Sequence, residues 1–311
     1  MSFGIQVPGA APVWQSRAMS IVQKTTKTAG DQPVKPVLVD ATPLLRAIAI
    51  DHEDVFITSY GPRLIAINHA NTFRRELVPE SGPACDLVVA DRAGVYVTAD
   101  EALWRVDKAT GKLTKLAALA GVSSLALDAR FVYATLRGSY PTYADGGVVR
   151  LARDGGALEW LVQGRGAYAL CVAGPRIYFA SDGQLWRREV DGTASAVCEA
   201  RNPHAVVALG DAVAFSEFDN AGQPSVFVAG QLRRLADQPY TAAMISIGDH
   251  LYWGTSSKKK TTPAIWRMRL DAPEPAPVAS FKAKAVRLAG NAQRLWWIDD
   301  VDGGLYMLPL A

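Results

Sequence analysis

Residues able to perform acid–base or ion-pair chemistry stand at one equivalent position in successive repeats of this sequence. Ten residues before a recurrent, mostly aromatic position, the chain carries Arg46, Asp86, Ser123, Tyr168 and His204. Each of these polar residues starts a segment that is otherwise apolar. Because histidine titrates near neutral pH, His204 is the candidate catalytic acid or base of the set.

The polar positions predict a site for a small ligand. Arg46 and Asp86 belong to adjacent repeats and are expected to pair. The candidate ligand-binding residues are Arg46, Asp86, Tyr168, His204, Tyr143, Glu217 and Asp219. With His204 as the acid–base group, such a site would perform a lyase or hydrolase reaction. The alternative is a ring of solvated residues with water between them and no catalysis.

A second set of residues predicts a protein-binding surface. The candidate anchors are aromatic loop residues: Tyr60, Tyr140, Tyr143, Phe218 and Tyr240. Aromatic side chains are enriched among the residues that dominate protein interfaces. Since no complete catalytic motif is present, a binding or scaffold module with a protein partner is the leading prediction, and whether the chain is an enzyme stays open. A lyase or hydrolase is the alternative, and a carbohydrate-binding protein ranks third.

No metal site or bound cofactor is predicted. The spacing of Cys85, Cys171 and Cys198 matches no zinc pattern, and three cysteines cannot form a complete disulfide framework. The histidines are scattered through the repeats rather than clustered. The odd number of cysteines favours a reducing compartment. The scattered cysteines and histidines favour a site that contains no metal ion.

The elements that must position these residues follow from a short β-rich pattern that occurs seven times. Its copies are Val55–Thr58, Val95–Thr98, Val132–Thr135, Ile177–Ala180, Val213–Ser216, Leu251–Gly254 and Leu295–Ile298. A period near 40 residues with several strands in each unit is typical of propeller blades. Apolar runs before and after each copy, separated by turn residues, complete four antiparallel strands per unit.

The last unit ends after three strands, and Val34–Val39 lies where an additional outer strand is expected. The sequence therefore predicts an all-β, seven-bladed propeller of four-stranded antiparallel blades, closed by an N-terminal strand that completes the last blade. Six blades with an irregular segment remain the alternative. Residues 1–30 are predicted to be a tail, either partly disordered or a docking arm, and residues 31–311 a single propeller domain.

The repeats also resemble known propeller families. The run V-Y-V-T-A-D-E-A-L-W-R-V-D at Val95–Asp107 resembles blades of the YWTD, NHL and PQQ types, and L-Y-W-G at Leu251–Gly254 is similar to a YWTD core. The resemblance covers about residues 34–311. It implies a propeller fold and leaves the function open, because propellers host binding modules, lyases, hydrolases and lectins.

Composition narrows the classes of partner. The formal net charge is +3, too small and too dispersed to predict nucleic-acid binding. No signal-peptide pattern starts the chain, and no apolar run reaches the length of a membrane span. The expectation from the sequence is a cytoplasmic protein with no membrane and no nucleic-acid partner.

Overall fold

The structure of the protein is a computed structural model. It describes residues 36–42, 44–189, 192–200, 203–217, 224–228, 231–234, 241–255, 264–272, 274–280, 285–299 and 303–310. These ranges contain 28 β-strands in seven four-stranded antiparallel sheets and no helix. The predicted all-β propeller of seven blades is confirmed. The predicted tail of residues 1–30 lies outside the described residues.

The first three blades are continuous in sequence. The strand that precedes them is β1 (Val37–Asp40). Blade 1 contains β2 (Leu45–Ile50), β3 (Asp54–Ser59), β4 (Leu64–Asn68) and β5 (Arg74–Val78). Blade 2 contains β6 (Cys85–Asp91), β7 (Gly94–Ala99), β8 (Ala102–Val106) and β9 (Leu113–Ala118). Blade 3 contains β10 (Val122–Leu127), β11 (Phe131–Leu136), β12 (Gly147–Ala152) and β13 (Glu159–Gln163).

The next three blades repeat this order. Blade 4 contains β14 (Leu170–Ala173), β15 (Arg176–Ser181), β16 (Gln184–Arg188) and β17 (Ala194–Glu199). Blade 5 contains β18 (Pro203–Leu209), β19 (Ala212–Glu217), β20 (Pro224–Val228) and β21 (Gln231–Arg234). Blade 6 contains β22 (Thr241–Ile247), β23 (His250–Thr255), β24 (Ala264–Arg269) and β25 (Ala276–Ser280).

Blade 7 is built from both ends of the propeller. It contains β26 (Ala285–Asn291), β27 (Arg294–Asp299) and β28 (Leu305–Pro309), and its fourth, outermost strand is β1. Val37 pairs with Met307 and Leu38 with Tyr306. The predicted closure by an N-terminal strand is therefore observed for Val37–Asp40, while Val34 of the predicted strand lies outside the described residues. Pairing of the two ends removes an open strand edge from the ring.

The core lies between blades. Seven clusters of buried apolar side chains each join two neighbouring blades, and one of them joins blade 7 to blade 1 through Trp296 and Ile57. Each blade packs against a neighbouring blade on each of its two faces. The second strand of each blade is therefore almost fully buried. The first strand of each blade is less buried than the second. Every residue of β10 is only half-buried, because the innermost strand lines the central channel.

The antiparallel order gives the ring two different ends. The loops between second and third strands and the connections between blades lie at one end, called here the loop face. The turns between first and second and between third and fourth strands lie at the other, called the hairpin face. At the hairpin face, four first-to-second-strand turns are capped by a side-chain oxygen that accepts two backbone N–H bonds. The capping residues are Asp51, Asp91, Asp128 and Asn291.

Two of these capping carboxylates also brace the next blade. The Lys108 ammonium of blade 2 forms an ion pair with Asp51 of blade 1, and the Arg153 guanidinium of blade 3 does so with Asp91 of blade 2. Burial alone would raise the pKa of both carboxyl groups. The cationic partner and the backbone donors outweigh burial and hold each pKa below its usual value. The hairpin face is thus held together by charge as well as by packing.

Candidate functional site

The predicted polar positions coincide with a structural irregularity that recurs in the blades. The pairing of first and second strands skips a residue near the loop face in six blades. The residues at the skip are Arg46, Asp86, Ser123, His204, Ala242 and Val286. Blade 4 has an equivalent arrangement at Tyr168. The carbonyl of Ala180 accepts a hydrogen bond from the N–H of Tyr168, and the N–H of Ala180 donates to the carbonyl of the next residue, Ala169.

Such an interruption is a β-bulge, and it explains how polar side chains fit at the start of apolar strands. A bulge places two residues opposite one, which breaks the strict alternation of side chains and re-aims one of them. Each bulge lies where the innermost strand reaches the mouth of the channel. The fold therefore offers seven equivalent positions around the mouth, and the sequence fills them with different chemistry.

A cavity of about 450 Å³ occupies the channel below this mouth. Its walls are mainly the aliphatic residues of the innermost strands, and its polar lining includes Ser123, Tyr168 and Arg287. Its volume falls in the range of small-molecule pockets. Arg46 and Asp86 do not line this cavity, although their neighbours Ala47 and Leu87 do.

Arg46 and Asp86 form an ion pair between blades 1 and 2. The Arg46 guanidinium also lies 5.2 Å from the ring centroid of Tyr60, which is 66% exposed in a loop of blade 1. The side chains of the pair are 39% and 46% exposed, so water and salt weaken their attraction. The pairing expected from the adjacent repeats is present, and its role in ligand binding stays a prediction.

Ser123 is engaged in holding two blades together. Its hydroxyl Oγ lies 2.7 Å from the carbonyl oxygen of Ala167, to which it donates, and 3.0 Å from Oγ1 of Thr135. Thr135 in turn donates to the carbonyl of Tyr168 at 3.2 Å. These bonds connect blade 3 to the connection that leads into blade 4. Ser123 therefore positions Tyr168 at the mouth of the channel.

Tyr168 and Tyr143 are brought together by a residue that the sequence analysis missed. The Arg137 guanidinium carbon lies 5.7 Å from the ring centroid of Tyr143 and 5.8 Å from that of Tyr168. Both distances are within the range of cation–π contact. Arg137 directly follows the second strand of blade 3. A basic residue at the start of a loop that contains two tyrosines was the sequence feature that could have indicated this contact.

The loop of residues 137–146, called here the tyrosine loop, is held in shape by its own side chains. The Asp145 carboxylate accepts from the N–H of Ser139 at 2.6 Å and from its hydroxyl at 2.7 Å. The ring of Tyr143 meets that of Tyr140 edge to face, with centroids 6.0 Å apart. Tyr140 is 83% exposed, so this ordered loop carries a large aromatic side chain into solvent.

Glu217 is buried near the loop face of blade 5. It pairs with Pro203 across the strands, beside the backbone of His204, and its carboxylate lies 3.9 Å from the Arg234 guanidinium. The side chain of His204 lies outside what the structure describes, as do Asp219, Phe218 and Tyr240. Tyr143 packs with Arg137 and Tyr140, and its role beside His204 stays a prediction.

The described ranges contain neither a metal-binding cluster nor a membrane-spanning helix. No group of three or more His, Cys, Asp or Glu side chains there is arranged to hold a metal ion. No helix there is long and apolar enough to cross a membrane.

Comparisons with known proteins support the fold. No protein-family model matches the sequence, and no curated protein matches it. Among solved structures, BamB from Moraxella catarrhalis is similar, with 18% identity, a TM-score of 0.61 and 86% of each chain covered. Oligogalacturonate lyase from Vibrio parahaemolyticus matches with 11% identity and a TM-score of 0.69 over 91% of this chain and 95% of that one.

A third match covers only part of a larger protein. PorZ, an essential bacterial surface component of the type IX secretion system of Porphyromonas gingivalis, matches with 12% identity and a TM-score of 0.66. The match spans 89% of this chain and 38% of that one. At these identities the three similarities show a shared propeller fold and nothing narrower.

Proposed function

We propose that this protein is a binding module that captures a protein partner on its loop face, with the tyrosine loop as the main contact. The observation that carries the proposal is the 83% exposure of Tyr140 on a loop whose backbone is fixed by Asp145. An aromatic anchor that is already ordered loses little conformational entropy on binding. Rigid, exposed tyrosines are for this reason frequent hot spots.

Other features of the same face support the proposal. Tyr60 is 66% exposed in a blade 1 loop at the same end of the ring, next to the cation of Arg46. Arg137, between Tyr143 and Tyr168, adds a second cation beside aromatic rings. Arginine and tyrosine are both enriched at the centres of interfaces. PorZ, which contains a similar fold, is a component of a secretion system, so propellers of this shape serve in assemblies.

The test compares two exposed aromatic positions on opposite faces. A photo-crosslinking amino acid replaces Tyr140 in one variant and Phe73 in another, because Phe73 is 61% exposed in a turn of the hairpin face. We expect a discrete crosslinked protein from position 140 only. The captured protein is then purified and titrated against the wild type, Tyr140→Ala and Phe73→Ala. Loss of binding in Tyr140→Ala alone supports the proposal, while equal crosslinking at both positions would contradict it.

A second candidate function rests on the cavity at the channel mouth. Its 450 Å³ volume and the phenol of Tyr168 on its wall suit a small polar ligand. His204 would be the acid–base group of a lyase or hydrolase. Oligogalacturonate is the first probe to use, because a lyase for it has a similar fold. Formation of an unsaturated product, absorbing in the ultraviolet and absent with His204→Ala, would favour this function over binding alone.

A further inference from the structure

A cleft lies on the hairpin face between blades 2 and 3, far along each strand from the loop face. It consists of two cavities of about 610 and 370 Å³ that share Ala93, Arg105 and Asp154 in their walls. The rest of the lining comes from the turns of the two blades, including residues 107–109 and 152–154. The cleft is separate from the channel and from every residue assigned to the loop face.

Positive charge dominates the walls of the cleft. Its lining residues with a formal charge at neutral pH are Arg105, Lys108, Lys112, Arg130, Arg153, Asp107 and Asp154. The carboxylate of Asp107 is engaged in its own turn, where it accepts from the N–H groups of Ala109 and Thr110. Asp154 is thus the one lining carboxylate that faces the cations without another role in the described turns.

The cations differ in how firmly they are held. Lys108 and Arg153 are fixed by the bracing carboxylates behind the cleft. Arg153 is only 7% exposed, and its Nε–H has no hydrogen-bond acceptor in the part of the chain that the structure describes. Arg153 therefore supplies positive charge behind the cleft, and the groups that can contact a ligand are the more exposed cations.

Three further cations are available to a ligand. Lys112 and Arg130 are exposed and form no ion pair with any described residue. Arg105 pairs with Asp154, whose Oδ1 lies 2.6 Å from its Nη1, but the Asp154 side chain is 87% exposed. An exposed carboxylate is weakly held, so an anion of higher charge can take its place on Arg105.

We propose that this cleft binds a phosphate-bearing small molecule, with Arg105 shared between its two cavities. Arginine and lysine together suit phosphate oxygens, since the arginine fork binds two oxygens and lysine adds a compact charge. The size of the two cavities falls within the range of small-molecule sites. Asp154 occupies Arg105 when the ligand is absent and is displaced when it binds. The site does not depend on the proposed function of the loop face.

The test is calorimetric titration of the purified chain with inorganic pyrophosphate at about 50 mM salt, where screening of exposed charges is moderate. Lys112→Ala and Arg130→Ala are each expected to weaken binding about tenfold, the effect of losing one charge-assisted hydrogen bond. Asp154→Asn keeps the side-chain shape, removes the competing charge and is expected to tighten binding. Lys115→Ala is the matched control, because Lys115 belongs to the same blade, stacks over Trp104 and lines neither cavity.

Three outcomes would overturn the proposal. Equal weakening by Lys115→Ala and Lys112→Ala would show a diffuse surface charge instead of a site. Citrate binding as tightly as pyrophosphate would show that the cleft does not select phosphate groups over carboxylates. Tighter binding of a single-stranded oligonucleotide, sensitive to Lys115→Ala, would show a nucleic-acid surface. Circular dichroism of each variant checks that the fold is intact, and since these positions are exposed, no change in melting is expected.

Discussion

Arg153 of blade 3 reaches across to blade 2 and binds both carboxylate oxygens of Asp91, with Nη1 at 3.0 Å from Oδ1. The same Oδ1 caps the hairpin of blade 2 by accepting from Ala93 and Gly94. One carboxylate therefore fixes a turn and a blade interface together. In blade 7 the equivalent cap is Asn291, which shows that an amide can serve the turn.

This relationship predicts the effect of Asp91→Asn. The amide keeps the cap but removes the charge that faces a buried guanidinium, so we expect a loss of about 1–3 kcal/mol in the free energy of unfolding at pH 7. The folded-state pKa of Asp91 lies below its usual value of 3.8, so the stabilisation is present above that value. It disappears as the pH falls through the folded pKa. Urea unfolding of both proteins at pH 7 and pH 3 measures the difference, which should shrink in acid.

A second prediction concerns Tyr133, whose hydroxyl donates to Oδ2 of Asp128 at 2.6 Å. Burial, and then the carboxylate of Asp128, raise the pKa of Tyr133 to about 12 from 10.0. A raised tyrosine pKa gives stability that is complete below pH 10 and is lost as the pH rises through 12. Tyr133→Phe is expected to cost about 1 kcal/mol at pH 8 and to lack this alkaline loss.

The measurement is urea unfolding at pH 8 and again between pH 10 and 12. Tyr60→Phe provides the control, because the Tyr60 side chain is exposed and its loss of a hydroxyl should not change the stability at pH 8. A Tyr133→Phe curve parallel to that of the wild type across the whole range would show that Tyr133 ionises as it does in the unfolded chain.

The third prediction separates backbone strain from steric clash at two glycines. Gly111 and Gly210 both have positive φ, at +71° and +58°, where a Cβ costs about 1 kcal/mol. A Cβ on Gly111 would also lie 2.2 Å from the carbonyl oxygen of Leu77 in the neighbouring blade, whereas a Cβ on Gly210 meets nothing. Gly111→Ala should therefore lower the melting temperature clearly more than Gly210→Ala. Equal shifts would mean that blade 1 moves aside without cost.

The fourth prediction tests the order of the tyrosine loop. Asp145→Ala removes the two bonds to Ser139 without touching Tyr140, so the loop should sample more conformations while the propeller stays folded. We expect faster hydrogen exchange at the amide of Ser139 and a binding loss of about tenfold for the partner captured at Tyr140. Unchanged affinity together with faster exchange would mean that the partner orders the loop itself.

The fold was predictable because its strongest determinant is local and repeated. Val55–Thr58 and its six counterparts lie in the second strands. These strands are buried on both faces, and their burial does not depend on the length of the loops. Counting back from those strands also located the bulge positions, because the hairpins between first and second strands have nearly constant length. In blade 7 the same count of ten residues back from Trp296 gives Val286, which is where the bulge lies.

The contacts of the site were harder to predict, for physical reasons. Arg137 meets Tyr143 because the chain between them folds back, and no periodicity encodes that path. The charges of the hairpin face pair between residues of adjacent blades, and these residues can be 62 positions apart in sequence, as Asp91 and Arg153 are. The apolar composition of the first strand also does not show that this strand faces an open channel, where its residues are only half-buried.

The pairing of Val37 with Met307 sets the order of events while the chain is being synthesised. Blades 1 to 6 are each continuous in sequence, so each can fold soon after its own residues leave the ribosome. Strand β1 is synthesised before these blades and has no pairing strand until β28 is synthesised. During that interval the nascent protein carries an unpaired strand, and we expect a swapped dimer, in which β1 pairs with β28 of a second copy, to be its main misfolded product.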